Sequence, residues 1–411
     1  MPLFVVREDP TSAELLYVGA ERGLFMSRDG GASFVDIRGN LPAIGVADIE
    51  VRHDDLILGT RRGIWILDDI TPLRQLDAAA RAEPVHLFPP RLSHRTRLEA
   101  RWDDLIDTGS NNRKYGMAIS YWIKDAPAER APGRKPAPDD PGEFKLEIYD
   151  AQGTLVRTLS SVAEPNRYRK DDPDEPEEPN EPALTRLQGI NRVQWDLRHQ
   201  GAARPADAKI DAGDPDKGPL VLPGTYTLKL TIAGRTYTTQ GEVAADPRSA
   251  ATPEDLRANY AFALETGAAL DRLVRDIEAV RAIRAQAEEV ATRTAKLPAA
   301  QSLHSTAQAL VERSDAIEHR MHNPEAEVVY DVLAGRKGGA KLYSQLSNLY
   351  TEVQSSDYAP TQGQRGQLDE NLAEMSAIEG ELRTLRAGDL ARLESEAASL
   401  GLPRVIVPDA G

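Results

Sequence analysis

Short apolar runs separated by turn residues fill residues 1–76, a pattern typical of β-strands joined by tight connections. Two segments, 16–25 and 56–65, are copies of one pattern and read LYVGAERGLF and LILGTRRGIW. The offset is 40 residues at every matched position, and a period near 40 built from short strands is typical of propeller blades. Six strands, about one and a half four-stranded blades, are predicted at 15–18, 24–27, 34–37, 46–51, 56–60 and 64–67.

The first copy continues into SRDGGASF, residues 27–34, which matches the Asp-box signature Ser-x-Asp-x-Gly-x-x-aromatic. In such a turn, short Ser and Asp side chains bond backbone amides and glycine takes a positive φ. We expect Phe34 to be buried under this loop. The second copy keeps only Asp68 and Asp69. We interpret the box as a structural turn and not as evidence of catalysis.

On these motifs the chain resembles the last blades of large bacterial Asp-box (BNR) repeat propeller proteins, which are glycosyl hydrolase-like, sialidase-like or sortilin-like. In that family most of a propeller comes first, and a β-sandwich and a helical tail follow. The resemblance implies that this chain is the C-terminal part of such a protein. One departure is at residues 61–63, which read RRG where the family turn contains His-Gly-Arg-Gly, so any role of that histidine is absent.

The predicted fold class is a multidomain chain of β and α structure. Incomplete propeller blades occupy 1–76, a connector 77–112, and an Ig-like or fibronectin-like sandwich 113–248, where strict alternation recurs at 117–123, 144–148, 191–197 and 226–232. The acidic, proline-rich segment 164–182 lacks the apolar residues for a core and is predicted to be a disordered loop.

From Thr252 the apolar spacing changes to three and four, which predicts helices. Thr252 as N-cap, Pro253 at the first position and two acids in the first turn mark the start of a long first helix. Three more helices follow, and a bundle is predicted for 252–403, with a tail at 404–411.

Charge and composition narrow the range of possible functions. The 65 acidic and 50 basic residues give a net charge of −15, which disfavours binding to nucleic acid or anionic membrane. Cysteine is absent, and no apolar run approaches the roughly 18–20 residues of a membrane span. The N-terminus lacks signal-peptide architecture, so the chain is expected to be cytoplasmic if Met1 is the true start, whereas the family resemblance implies a periplasmic or secreted protein.

The search for chemistry gives two weak candidates. His319 and His322, with Glu318 or Glu325 as a third ligand, would suit zinc, but an exposed helix end is the preferred interpretation. Asp68 and Asp69 are adjacent on a strand, so they point to opposite faces and are poorly placed as a glycosidase pair. The loop 214–218 lacks the spaced ligands of a calcium site. No catalytic, cofactor or metal residue is assigned.

The sequence therefore predicts a non-catalytic structural or interaction segment of an Asp-box propeller protein, which closes or spaces the propeller and contacts a partner. Because few repeats leave an open face, the blades are expected to pack on the sandwich, to self-associate through open blade edges, or to bind a separate propeller chain. Two alternatives remain open: an accessory part of a propeller glycoside hydrolase, with a glycan as ligand, and a sortilin-like peptide-binding scaffold.

Overall fold

The computed structural model describes residues 2–97, 115–125, 142–162, 183–206, 208–210 and 213–401. Strands occur as far as residue 245 and long helices from residue 253 onward, which confirms a mixed chain with a C-terminal helical region. The described residues form two compact units. One contains 2–162, 183–197 and 223–246, and the other contains 198–222 and 247–401. The predicted acidic loop 164–182, the connector from 98 on and the tail 404–411 lie outside the described residues.

The first unit begins with two antiparallel meanders. The first sheet has four strands in chain order, β1 (Leu3–Asp9), β2 (Ser12–Ala20), β3 (Gly23–Ser27) and β4 (Val35–Asp36). The second sheet has three, β5 (Val46–Arg52), β6 (Asp55–Thr60) and β7 (Gly63–Leu67). All six predicted strands are present, whereas β1 was not predicted because its residues do not alternate between apolar and polar.

After β7 the chain does not form a fourth strand. Asp69 has a positive φ of 55° and accepts hydrogen bonds from the amide and hydroxyl of Thr71. This turn leads into two short helices, α1 (Thr71–Gln75) and α2 (Ala78–Ala82). The second sheet therefore ends at β7.

Two further sheets form the rest of the first unit. Six of their strands come first in the chain: β8 (Val85–Leu87), β9 (Ser93–Arg95), β10 (Met117–Ile123), β11 (Lys145–Tyr149), β12 (Leu155–Ser160) and β13 (Gly189–Trp195). A separate two-stranded hairpin follows, β14 (Arg198–Gln200) and β15 (Lys217–Leu220). The last two strands of the sheets are β16 (Gly224–Ile232) and β17 (Arg235–Ala245). One sheet has the order β13-β10-β8 and the other β12-β11-β16-β17-β9. Their inner faces meet where Trp195 packs edge-on against Tyr226, with ring centroids 5.3 Å apart.

The hairpin of β14 and β15 differs from the predicted boundaries. Residues 198–222 were expected within the sandwich range 113–248, but they belong to the helical unit. The amide of Ala203 donates to Asp271, Tyr343 donates to the carbonyl of Ala203, and the amide of Asp214 donates to Thr351. These partners are more than 60 residues away along the chain, so strand alternation alone could not assign the segment.

The second unit is built on a 42-residue helix, α3 (Pro253–Thr294). The helices that follow are α4 (Gln301–Met321), α5 (Val329–Leu333), α6 (Leu342–Gln354), α7 (Gln362–Thr384) and α8 (Ala391–Ser399), with a π-helical turn, Leu385–Leu390, between the last two. The start of α3 is as predicted, because Thr252 and Asp255 form a reciprocal capping box. One apolar core runs through this unit from Phe262 to Ala397.

Candidate interaction surface

The Asp box forms the turn between β3 and β4. Ser27 donates its hydroxyl proton to Asp29, and Asp29 in turn accepts from the amide and the hydroxyl of Ser33. These bonds lower the pKa of Asp29 to about 2, with the Ser33 hydroxyl as the largest cause. Gly30 and Gly31 have positive φ values of 63° and 99°, as the turn requires.

The expectation for Phe34 was wrong. Its side chain is half exposed and does not lie in the core under the loop. The carboxylate of Asp29 and the hydroxyl of Ser27 hold the turn without it. The Asp box is therefore a closed network of local hydrogen bonds, as the structural interpretation predicted.

The first and second sheets pack face to face and share one core. On the first sheet, Tyr17, Leu24 and Met26 point into this core and are almost completely buried. On the second sheet, Leu56 and Leu58 face them. Leu56 and Leu58 are the repeat equivalents of Leu16 and Val18, which lie on the other face of the first sheet. The two copies therefore stack like successive repeats. The face of the first copy that carries Tyr17 packs against the face of the second copy that carries Leu56, and these are opposite faces of the repeat.

The second sheet consequently has an open face. The residues 40 positions after Tyr17, Leu24 and Met26 are Ile57, Ile64 and Ile66. They lie side by side on the face turned away from the core, since Ile57 pairs with Ile66 and Gly59 with Ile64 across the β6–β7 ladder. Ile64 is 75% exposed and Ile66 56% exposed, whereas Leu24 and Met26 are 1% and 2% exposed. We call Ile57, Ile64 and Ile66, with Asp48 and Glu50 beside them on β5, the open face.

Two glycines at equivalent positions of the repeat show the same difference between the covered first copy and the open second copy. A Cβ added at Gly19 on β2 would lie 2.5 Å from the carbonyl oxygen of Val46 and 2.7 Å from Val5. Gly19 therefore permits the close approach of the second sheet. Its repeat equivalent, Gly59, meets only Asp48 of its own sheet, at 3.3 Å and beyond. In the first copy the glycine is needed for stacking, and in the second no described residue of another sheet fills the corresponding space.

Both outer ends of this two-sheet stack are apolar. At the other end β1 exposes Leu3, Phe4 and Val6, each about half exposed or more. β7 is the last strand of its sheet, and within the part of the chain that the structure describes no strand pairs with its outer edge. Exposed edges with apolar side chains are sites where other strands or sheets add. Sequence reasoning expected an open face but named no residues for it, although the repeat alignment contains them.

The paired acids Asp68 and Asp69 lie between the end of β7 and the start of α1. The carboxylate of Asp69 is buried and accepts both Thr71 bonds, so it is committed to the turn. The pKa of Asp68 is raised, mainly by burial and then by the charge of Asp55. Arg192 of β13 donates to the carbonyl oxygens of both residues, 2.7 and 2.6 Å away, which ties the end of β7 to the three-stranded sheet.

The histidines at the end of α4 lie in a different setting from the one expected. His322 is buried, not at an exposed helix end, and its Nε2 lies 2.8 Å from Oε1 of Glu318. Glu318 is itself fully buried and paired with Arg281 and Arg284. Glu325 reaches only His319, at 3.3 Å. Over the described ranges, no group of three or more acidic or histidine side chains is arranged to hold a metal ion.

The loop 214–218, rejected as a calcium site, lies beside α6, where Thr351 binds its first amide. None of the helices in the described parts of the chain is long and apolar enough to cross a membrane.

Comparisons with protein-family models, curated proteins and solved structures give no match.

Proposed function

We propose that the chain is a non-catalytic structural and interaction segment of an Asp-box propeller protein, in which the two stacked sheets are blades and the open face receives a further blade of the same repeat. The observation that carries the proposal is the contrast between Leu24 and Met26, which the next copy buries, and Ile64 and Ile66, which are open. Stacked repeats bury their faces only against neighbours, so a last copy without a neighbour is incomplete.

The stacking direction also specifies the occupant. The face that would cover Ile64 and Ile66 is the one that carries Leu56 and Leu58 in the second sheet. Its equivalent in the first sheet carries Leu16 and the buried Val18, which pairs with the half-exposed Val6 of β1. In the absence of other blades, the open face of one chain should therefore bind the β1 end of another. Such a contact is head-to-tail and does not close after two copies.

The test is light scattering coupled to size-exclusion chromatography over a range of concentrations. The unmodified chain should exceed its 45.0 kDa mass as the concentration rises. Ile64→Lys with Ile66→Lys should abolish this association, because each isoleucine forfeits about 1.5–3 kcal/mol of burial. Phe4→Lys with Val6→Lys should do the same from the other end. Leu187→Lys, an equally exposed apolar residue outside the stack, is the matched control and should leave association unchanged.

Mixing the two blocked variants gives the sharper result. Each retains one intact end, so the mixture should form a dimer and nothing larger, although neither variant associates alone. A chain that is monomeric at every concentration, or association that the open-face substitutions do not alter, would refute the proposal.

The two other hypotheses predict different ligands. An accessory part of a glycoside hydrolase should bind glycans, and a sortilin-like scaffold should bind peptides, in both cases without dependence on Ile64 and Ile66. Binding assays with both blocked variants therefore separate these functions from blade completion.

A further inference from the structure

A cleft rich in arginine lies between α3 and the end of α7, within the helical unit. It has a volume of about 270 Å³ and is lined by Arg272, Arg275 and Asp276 on one side and by Glu379, Leu382, Arg383 and Arg386 on the other. Four guanidinium groups and two carboxylates leave a net positive charge here, in a chain whose overall charge is −15. Concentrated positive charge inside an acidic protein attracts anions to one place.

The two carboxylates neutralise only part of this positive charge. Glu379 pairs with Arg272, with Oε1 and Nε 2.9 Å apart. Arg386 is different, because its Nε and Nη2 atoms are buried and have no hydrogen-bond partner among the residues that the structure describes. Buried N–H groups without an acceptor are costly, since these donors have lost water and gained nothing in exchange.

The π-helical backbone of this segment determines the position of the Arg386 side chain in the cleft. Arg386 is the second residue of the π-helical turn Leu385–Leu390, which interrupts the path from α7 to α8. π-Helical turns are rare and are frequent at functional sites. The turn brings Arg386 to the same cleft as Arg272 and Arg275, which are more than 100 residues earlier in the chain.

Asp276 adds a second unpartnered group. Its Oδ2 atom is buried without a hydrogen bond, and its pKa is raised, first by burial and then by the charge of Glu379. The charges of Arg386, Arg272 and Arg275 act in the opposite direction and lower the pKa of Asp276, so this carboxyl lies within reach of their fields. The hydrogen-bond donors that the cleft offers to an anion come from its guanidinium groups.

We propose that this cleft binds a phosphate group. Arginine forms paired, charge-assisted hydrogen bonds with phosphate oxygens, and several guanidinium groups around one cavity suit its tetrahedral array of acceptors. Leu382 supplies an apolar wall for the remainder of a small phosphorylated molecule. This site is independent of the two-sheet stack and of the proposed blade function.

The experiment is isothermal titration calorimetry on the full chain, in low-salt buffer, with inorganic phosphate in one arm and glycerol 3-phosphate in the other. Saturable binding is expected, and Arg386→Met should weaken it roughly tenfold or more. Arg293→Met removes the same charge from an exposed site on α3 and should leave the affinity unchanged. Tighter binding of the ester identifies a phosphorylated molecule as the source of the phosphate, and equal binding shows that the phosphate group suffices.

Thermal denaturation supplies a second readout. Without phosphate, Arg386→Met should be as stable as the unmodified chain or more stable, because it removes unpartnered buried donors. With phosphate, only the unmodified chain and Arg293→Met should gain stability. Arg383→Met, at an exposed lining residue, serves if Arg386→Met does not fold. The proposal is overturned if neither ligand binds, if sodium chloride of equal ionic strength has the same effect, or if the cleft variants bind like Arg293→Met.

Discussion

Replacement of Glu318 by glutamine should strongly destabilise the helical unit. The side chain is fully buried, and its Oε1 lies 2.6 Å from Nε of Arg281 and 2.8 Å from Nε2 of His322. Arg284 lies 2.6 Å from the other oxygen. Glutamine keeps the shape but removes the charge, so two arginines lose their common carboxylate.

The pKa of Glu318 gives the magnitude. Burial raises it, but hydrogen bonds from His322 and Arg281 and the charge of Arg281 outweigh burial and lower the pKa to about 2 from 4.5. At about 1.36 kcal/mol per pH unit, this difference corresponds to roughly 3 kcal/mol of stability. That value lies at the lower end of the roughly 3–5 kcal/mol expected when one partner of a buried ion pair is removed.

The sign of the pH dependence follows from the direction of the shift. Because the folded pKa is lower than the unfolded one, the stabilisation is fully present above about pH 4.5 and is lost as the pH falls towards about 2. The pKa of His322 is also lowered, chiefly by burial, so its protonation opposes folding below about pH 6.5. Both groups therefore make the unit less stable in acid.

The assay is urea unfolding followed by far-ultraviolet circular dichroism at several pH values between 7 and 3. Glu318→Gln should lose about 3 kcal/mol at pH 7, and its stability should fall less steeply below pH 5 than that of the unmodified chain. Glu312→Gln, at an exposed position on the same helix, should change stability by less than about 0.5 kcal/mol. Equal effects of the two substitutions, or an unchanged acid profile in Glu318→Gln, would refute the reasoning.

Two further predictions concern stacking and capping. Gly19→Ala should destabilise the first unit by about 1–3 kcal/mol in urea unfolding followed by near-ultraviolet circular dichroism, because its Cβ would press on Val46. Gly59→Ala should cost clearly less in the isolated chain but should block self-association, and equal losses of stability for the two would contradict the stacking argument. Thr252→Ala should cost about 1 kcal/mol by removing the N-cap of α3. Thr384→Ala at an exposed helical position is its control, and similar costs for the two would show that the cap contributes little.

Features that depend on neighbours in sequence were predicted well. The six strands, the start of α3 and the hydrogen bonds of the Asp box follow from alternation, capping residues and turn chemistry within a few residues. The existence of an open face was predicted, because the last copy of an incomplete repeat has no neighbour to cover it. The identity of its residues needed the structure to show which side of each copy its neighbour covers.

Features that depend on distant contacts were missed or misplaced. The helix-end histidine was expected to be exposed, but α3 supplies arginines that bury it together with Glu318. Residues 198–222 lie in sequence between predicted sandwich strands, yet the backbone amides of Ala203 and Asp214 in this stretch donate to side chains of α3 and α6. Periodicity records which face of a segment is apolar but not what covers that face.

The sequence by itself determined the repeat, the succession of sheets and helices, and the local turns, because these arise from interactions over a few residues and from the period of apolar side chains. Only the tertiary structure decided which copies of the repeat are covered, which ionisable groups are buried, and which arginines meet in one cleft. Those outcomes depend on contacts between residues far apart in the chain, where packing and desolvation, and not local preference, set the free energy.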